Sequence, residues 1–580
     1  MKIFSVGERI GAIAKRLLLI TIAATLTGGL VAVADDFDKG GKDQDRDGHH
    51  FELPFFFPGN LVVSRSVYDN RAGNVTVGTI LPPNCAATTG GCGAQSGAPS
   101  NGLYPFVWNN DTYDASFGIT SKIFLDQITP FGWFINSIEV PNSSQHGVTS
   151  TSDQMVTSFP SKSEIALNLS TDGRFLTFMG YVAPIDALDV SNANTPAAPD
   201  PTNPDGQTFL RAVAQVDRHG KFQFTETNAY SGNNGRAAIL NNTDGANFIY
   251  TAGNAGNGAN PQPNGVVLGA GAQILTPAGE PEHNQTPGNP TPVGSFSVTE
   301  IGAKADKIGK DDNFRGMTIF DNVLYYTKGS GGNGANTVYF VDTTGKACPK
   351  GVGLPALGAT LPTTPLAYDP STLQTVGLPN NMCILAGFPA VANKSLTTVT
   401  AFPFGIWFAD ATTLYLADEG GGYTGGADLY THAAAQPTAG LQKWVFDSTA
   451  NQWKRVYILQ TGLGLGTAYT VLGYPTGANP TTKLPWSPAT DGLRNITGRV
   501  DEHGFVTIWG ITSTISGNGD TGADPNRLVV VTDVKDNQDP TFAAKERFFT
   551  IKAAGFGEVL RGVSFTPGTH SDHDGDHDND

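Results

Sequence analysis

Four arginines stand at matching places along the chain. Arg236, Arg315, Arg494 and Arg561 each open a strand-like run: RAAIL, RGMTIF, RNITG and RGVSF. The equivalent places in two further runs hold Glu164 and Phe404. Runs that close into a ring bring such positions to one rim. Four guanidiniums on a rim would bind carboxylate, phosphate or sulfate through paired N–H donors. The other use of each arginine is to staple neighbouring strands through an acid such as Glu558, Asp311, Asp312 or Asp491. A second set falls at the ends of the following strands: Arg65, Lys328, Asp418 and Glu419. Asp418 and Glu419 adjoin a Gly-rich loop. As a pair they could hold a hard cation or serve as a general base, and an acidic turn in water is their plainer use. With Glu164 they are the candidate catalytic groups. The rim arginines, Phe404, Arg65 and Lys328 are the candidate ligand-binding groups. His219, His432 and His503 are isolated, and no G-x-S-x-G, H-E-x-x-H or P-loop occurs.

The elements that must position these residues are short strands in a repeating order. RGMTIFDNVLYYTKG (Arg315–Gly329) is followed by TVYFVDTTG (Thr337–Gly345); FGIWFADATTLYLADEG (Phe404–Gly420) is followed by GLQKWVFD (Gly440–Asp447). Each unit has an apolar strand, a tight turn, a second strand, a long Gly-rich loop, a third strand and a looser fourth. Six such units predict an all-β, six-bladed β-propeller, each blade a four-stranded sheet with strands A to D from the axis outward. Blade two opens at Ser163–Gly173 and blade three at Arg236–Gly245. Blade four opens at Arg315, with Leu373–Leu378 as its outer strand, blade five at Phe404 and blade six at Arg494–Gly504. An orphan strand remains at each end: Val559–Pro567 reads as an A strand and Asn60–Asp69 as a B strand. Sharing one blade closes the ring and removes an open edge. Seven blades are the alternative if Pro349–Ala401 holds further strands. The B–C loops are long and varied, for example Asn70 to Ser121 and Pro184–Gln207. They share a face with the D–A connections, so function is expected on that face.

The blades of Arg315–Gly345 and Phe404–Asp447 resemble NHL-type propellers. Gly-Ile or Gly-Met leads a strand, LYLAD or LYYTK forms the next, and the third ends in Phe-Asp or Phe-Val-Asp. The resemblance implies relatives of two kinds, secreted lactonase-like hydrolases with calcium at the tunnel mouth and binding modules without catalysis. Arginines occupy most of the positions where such hydrolases carry acidic and Asn ligands.

Composition narrows the function further. The 580 residues carry a formal charge of −16, only 15% charged residues, 71 Gly and 37 Pro. Lys2, Arg9, Lys15 and Arg16, the apolar run Leu17–Val31 and Ala32-Val33-Ala34 read as a secretory signal over 1–34, with an uncleaved anchor as the alternative. Residues 1–34 hold four basic side chains and one acidic one, so their removal takes −16 to −19. That balance excludes nucleic acid as a partner. Cys85, Cys92, Cys348 and Cys383 allow three pairings, of which Cys85–Cys92 and Cys348–Cys383 each close one local loop. Asp43, Asp45 and Asp47 match the start of a calcium loop, but Pro54 stands where an EF-hand needs Glu. The expected domains are the signal, an acidic disordered segment over 35–58, the propeller over 59–567 and a disordered Asp/His-rich tail over 568–580. The expected function is a secreted, monomeric binding or interaction module, periplasmic or extracellular, for an anionic small molecule, glycan or protein segment. The alternative is an extracellular hydrolase or lyase of a lactone, ester or sugar at the same mouth. Calcium is the one cofactor suggested, and no span remains after signal cleavage.

Overall fold

A computed structural model describes residues 54–69, 71, 118–148, 153–198, 207–255, 269–277, 313–332, 334–348, 351–365, 382–479, 482–518 and 521–569. These residues form six antiparallel sheets, and each sheet is one blade of a six-bladed β-propeller. Blade one runs outward as Glu558–Phe565, Leu61–Val67, Thr120–Ile128 and Phe134–Glu139. Blade two is Asn168–Leu169, Phe175–Tyr181, Arg211–Asp217 and Phe222–Thr227. Blade three shows Gly235–Asn241, Phe248–Gly253 and Gly271–Leu275. Blade four is Met317–Phe320, Val323–Lys328, Thr337–Val341 and Met382–Leu385; Val352–Gly353 adds a parallel strand beyond. Blade five is Pro403–Asp410, Thr413–Asp418, Gly440–Asp447 and Gln452–Leu459. Blade six is Ala489–Val500, Phe505–Ile515, Arg527–Val534 and Phe549–Ala553.

The repeated strand pattern in the sequence comes from packing on both faces of each strand. In Thr413–Asp418, Tyr415 and Ala417 pack toward blade six, while Leu414 and Leu416 pack toward blade four. In Val323–Lys328, Leu324 and Tyr326 face blade three, while Val323 and Tyr325 face blade five. A strand buried on both sides reads as a near-continuous apolar run, and the two-residue period then decides which neighbour each side chain meets. The hairpin turn Asp321-Asn322 holds both residues at positive φ, 47° and 58°, the backbone that matches strand twist in a two-residue connection.

Each pair of adjacent blades encloses its own apolar cluster. Val62 and Phe178 lie between blades one and two, and Met179 and Ile249 between two and three. Tyr250 and Tyr339 lie between three and four, and Phe408 and Phe340 between four and five. Leu459 and Ile508 join five to six, and Trp509 and Leu560 join six to one. Fully burying one such side chain is worth about 1.5–3 kcal/mol, so every interface is a core in its own right. The last interface depends on the shared blade. Leu61–Val67 pairs antiparallel with Glu558–Phe565, from Leu61 opposite Phe565 to Val67 opposite Glu558.

Two expectations need correction. The outer strand of blade four is Met382–Leu385, hydrogen-bonded to Thr337–Val341. Residues 373–378 lie outside the described residues. Cys348–Cys383 forms a disulfide with Cα atoms 5.8 Å apart, and it clips that outer strand to the loop following Thr337–Val341. Blade two's inner strand is only two residues long, Asn168–Leu169, although the Ile165 amide still donates to the Met179 carbonyl of the second strand. The described residues begin at Pro54, and Phe56 is fully buried. The fourth strand expected for blade three, Cys85, Cys92, Asp43, Asp45, Asp47 and the C-terminal tail from 570 lie outside the described residues.

Candidate anion site at the propeller axis

Three glycines set the rim. Gly316 lies against the carbonyl oxygen of Phe404, Gly405 against that of Arg494, and Gly562 against that of Ile165. Each follows a rim residue in its own blade (Arg315, Phe404, Arg561) and touches the rim of the next. A Cβ has no room there, and its absence lets the inner strands approach closely. The register therefore places Arg315, Phe404, Arg494, Arg561 and Glu164 at equivalent heights around the axis.

A segment of the chain itself, Thr157–Glu164 on the connection from blade one to blade two, leaves a short strand paired with Thr120–Ser121 of blade one and reaches the rim residues. Phe159 offers its carbonyl oxygen to Arg561 Nη2. Ser161 Oγ accepts from Asn234 Nδ2 at 3.0 Å. Lys162 Nζ lies 3.2 Å from Glu419 Oε1. Ser163 Oγ accepts from Arg315 Nη1. Glu164 accepts from Thr157 Oγ1 at 2.7 Å, the Ser158 amide at 3.0 Å and Tyr181 OH. Blades one and four are opposite in a ring of six, so a run that touches both crosses the axis. Ile165, which ends this run, has φ 52° and is fully buried. A β-branched residue adopts that backbone only when its surroundings force it.

Around this segment the charges are unbalanced. Arg494 Nε donates to Glu419 Oε2 at 3.1 Å, and Lys162 takes the other oxygen. Burial alone would raise the Glu419 pKa, but Lys162, Arg494 and Arg315 hold it down at about 2. Arg236 donates to Asn234 Oδ1 at 2.9 Å and to the Phe314 carbonyl at 2.6 Å. Loss of water and the charge of Arg315 pull its pKa well below the usual guanidinium range. Loss of water lowers Arg315 too, and Arg494 adds to the effect against the pull of Glu419. Arg315 also donates to Ser330 Oγ, while its Nε is buried with no hydrogen-bond partner among the described residues. Lys162 is lowered by desolvation, against the attraction of Glu419, with Arg315 and Arg494 lowering it further. Lys162 is the accessible member: 34% of its side chain meets solvent, against 4% for Arg494.

The other sequence candidates fall elsewhere or act differently. Asp418 and Glu419 do not work as a pair. Asp418 accepts from the amides of Phe402 and Gly420 at 2.9 and 3.0 Å, and burial raises it to about 6. Lys328 is buried one residue away from the rim, donating to the Ser330 carbonyl at 2.9 Å and Asn336 Oδ1 at 3.2 Å. Phe404 contributes backbone, its carbonyl accepting from Thr327 Oγ1. Arg65 is not at the axis; it joins Asp126 through two bonds of 2.8 and 3.0 Å and Glu558 at 2.6 Å. Glu558 therefore serves Arg65, whereas Arg561 reaches Phe159.

Lys162, Ser163 and Asp491 were not singled out in the sequence as site residues. Asp491 accepts from the Gly422 amide at 2.8 Å and from Gln436 Nε2, and burial and Glu419 raise it to about 7. The glycine after Arg315, Phe404 and Arg561 was a legible rim signal. Nothing in SFPSKSE marks it as an axial segment.

No protein-family model matches the chain, and no curated protein matches it. Among solved structures it is similar to an ulvan lyase from a new polysaccharide lyase family, at 10% identity and TM-score 0.29, over 78% of this chain and 91% of that one. It is also similar to Pyrococcus horikoshii acylaminoacyl peptidase, at 11% identity and TM-score 0.22, over 68% of this chain and 53% of that one. Likeness at this level says nothing of activity in this chain.

Proposed function

We propose that this propeller is a secreted binding module that takes an anionic group, carboxylate, sulfate or phosphate, on the loop-rich face beside Lys162. One observation carries the reading. Among the described residues, Lys162, Arg236, Arg315 and Arg494 act on one another's ionisation at the axis, with Glu164 and Glu419 as the carboxylates among them. Asp418 and Asp491, the neighbouring acids, are raised toward neutrality. Desolvated cations in excess are costly, and a ligand anion would offset that cost. The Cys348–Cys383 disulfide suits an oxidising destination.

Thermal shift and calorimetry with sulfate, phosphate and galacturonate, at fixed ionic strength against chloride, test the reading. At least one anion should raise the melting temperature. Lys162→Ala, which leaves Arg494 to partner Glu419, should weaken that anion about tenfold by removing a charge-assisted contact. Absence of any anion-specific shift refutes the proposal.

A second reading, hydrolysis or elimination at the same mouth, has one observation in its favour. Asp491 at about 7 and Glu419 at about 2 have the separated ionisations that an acid–base pair requires. Turnover of lactone, ester or uronide substrates that Asp491→Asn abolishes would support it.

A further inference from the structure

The face opposite the loops carries an unusual concentration of exposed rings. In blade one, the hairpin joining Thr120–Ile128 to Phe134–Glu139 leaves Phe131 82% and Trp133 75% exposed, with Phe134 beside them. In the adjacent blade six, Phe505 opens the second strand, Phe542 sits on the connection into the fourth and Phe549 opens the fourth; all three are exposed. A–B and C–D turns lie on one face of a propeller, so these six belong together. The seventh, Phe57, precedes Leu61–Val67 and lies on the same face. Every exposed phenylalanine and tryptophan among the described residues is thus on this face of blades six and one.

The hairpin is held firmly while its rings face water. Trp509 Nε1 donates to the Pro130 carbonyl at 2.9 Å, and Gly132 packs against the backbone of Ile551. A rigid, convex aromatic tip has the form of an interfacial anchor: rings enter the headgroup region without needing a complementary pocket. The course of the chain points the same way. Residues 1–53, which include the apolar run Leu17–Val31, lead into the fold at Pro54. There the Phe55 carbonyl accepts from Asn136 Nδ2 at 2.9 Å, on the strand that the aromatic hairpin begins. The described chain therefore begins at the aromatic face. No helix among the described residues is long and apolar enough to cross a membrane.

We infer that the aromatic face of blades one and six docks on a lipid bilayer surface through Phe131, Trp133 and Phe134. The full chain, mixed with phosphatidylcholine vesicles and in a second arm with phosphatidylcholine–phosphatidylglycerol vesicles, should co-sediment with both. The double variant Phe131→Ala/Trp133→Ala should partition at least about tenfold less, since two rings no longer leave water. Its melting temperature should be unchanged, because both side chains are exposed. Lipids brominated along the acyl chain should quench a fluorescence component that Trp133→Phe removes. Equal partition by wild type and double variant overturns the inference, because the apolar N-terminal run would then account for binding. So does failure of the wild type to sediment, or a vesicle-free dimer that the double variant abolishes.

Discussion

Gly405 lies directly against the carbonyl oxygen of Arg494; a Cβ built on it would stand 2.5 Å from that oxygen. The neighbouring inner strands can approach this closely only where one of them lacks a side chain. Gly405→Ala must therefore push blades five and six apart at the rim, at a cost of about 1–3 kcal/mol. Gly332→Ala, with nothing within 4 Å of its would-be Cβ, should be near neutral. Chemical denaturation of the two variants checks the contrast.

Glu419 should matter to stability through its charge. Its folded pKa is about 2 against an ordinary 4.5, so the folded state favours the ionised form. The associated stabilisation, about 3 kcal/mol, is fully present above pH 4.5 and is lost as pH falls toward 2. Glu419→Gln should cost about 3–5 kcal/mol at neutral pH by stranding Lys162 and Arg494. Its urea midpoint should also lose much of the wild type's dependence on pH between about 2 and 4.5.

Asp491 acts with the opposite sign. Its folded pKa is raised from 3.8 to about 7, so folding favours the protonated form. Its contribution is most favourable below pH 3.8 and is progressively lost as pH rises to 7. Asp418, raised to about 6, acts in the same direction. Together with Glu419 they predict greatest stability on the acid side of neutrality, and Asp491→Asn should flatten the decline between pH 4 and 7. A melting-temperature profile against pH shows whether the decline exists and whether this variant removes it.

The Cys348–Cys383 bridge closes a loop with a sequence separation of 35. Loop-closure entropy for that length is worth about 3–4 kcal/mol. Replacing both cysteines with serine should lower stability by about that much, and blade four's outer strand should lose amide-exchange protection first. Uniform loss of protection across all blades would contradict this.

Leu560, fully buried between blades six and one, tests the closure. Leu560→Ala should cost about 2–5 kcal/mol, although the residue lies in the last of the described strands. A terminal strand that merely frayed would show almost no loss.

The ring was legible because its strands are buried on both faces, which prints uninterrupted runs such as VLYYTK and TLYLAD. The shared blade followed from the same pattern, since Val559–Pro567 and Asn60–Asp69 each lacked a partner. Met382–Leu385 escaped because its four residues are too few to carry a clear periodicity. The rim arginines could be aligned from sequence, but their partners could not. Arg561 finds the Phe159 carbonyl, and Arg315 finds Ser163, at separations in sequence that no local pattern encodes. Arg65 misled because its position at a strand end was read without its cross-strand neighbour Asp126. Ile165 has no local signature either, because its backbone is imposed by the axial segment before it.

The shared blade also sets an orientation. Glu558–Phe565 finishes, and Leu61–Val67 starts, on the side away from the long loops. A label placed at Phe57, exposed just ahead of Leu61–Val67, would therefore leave the loop-bearing side clear.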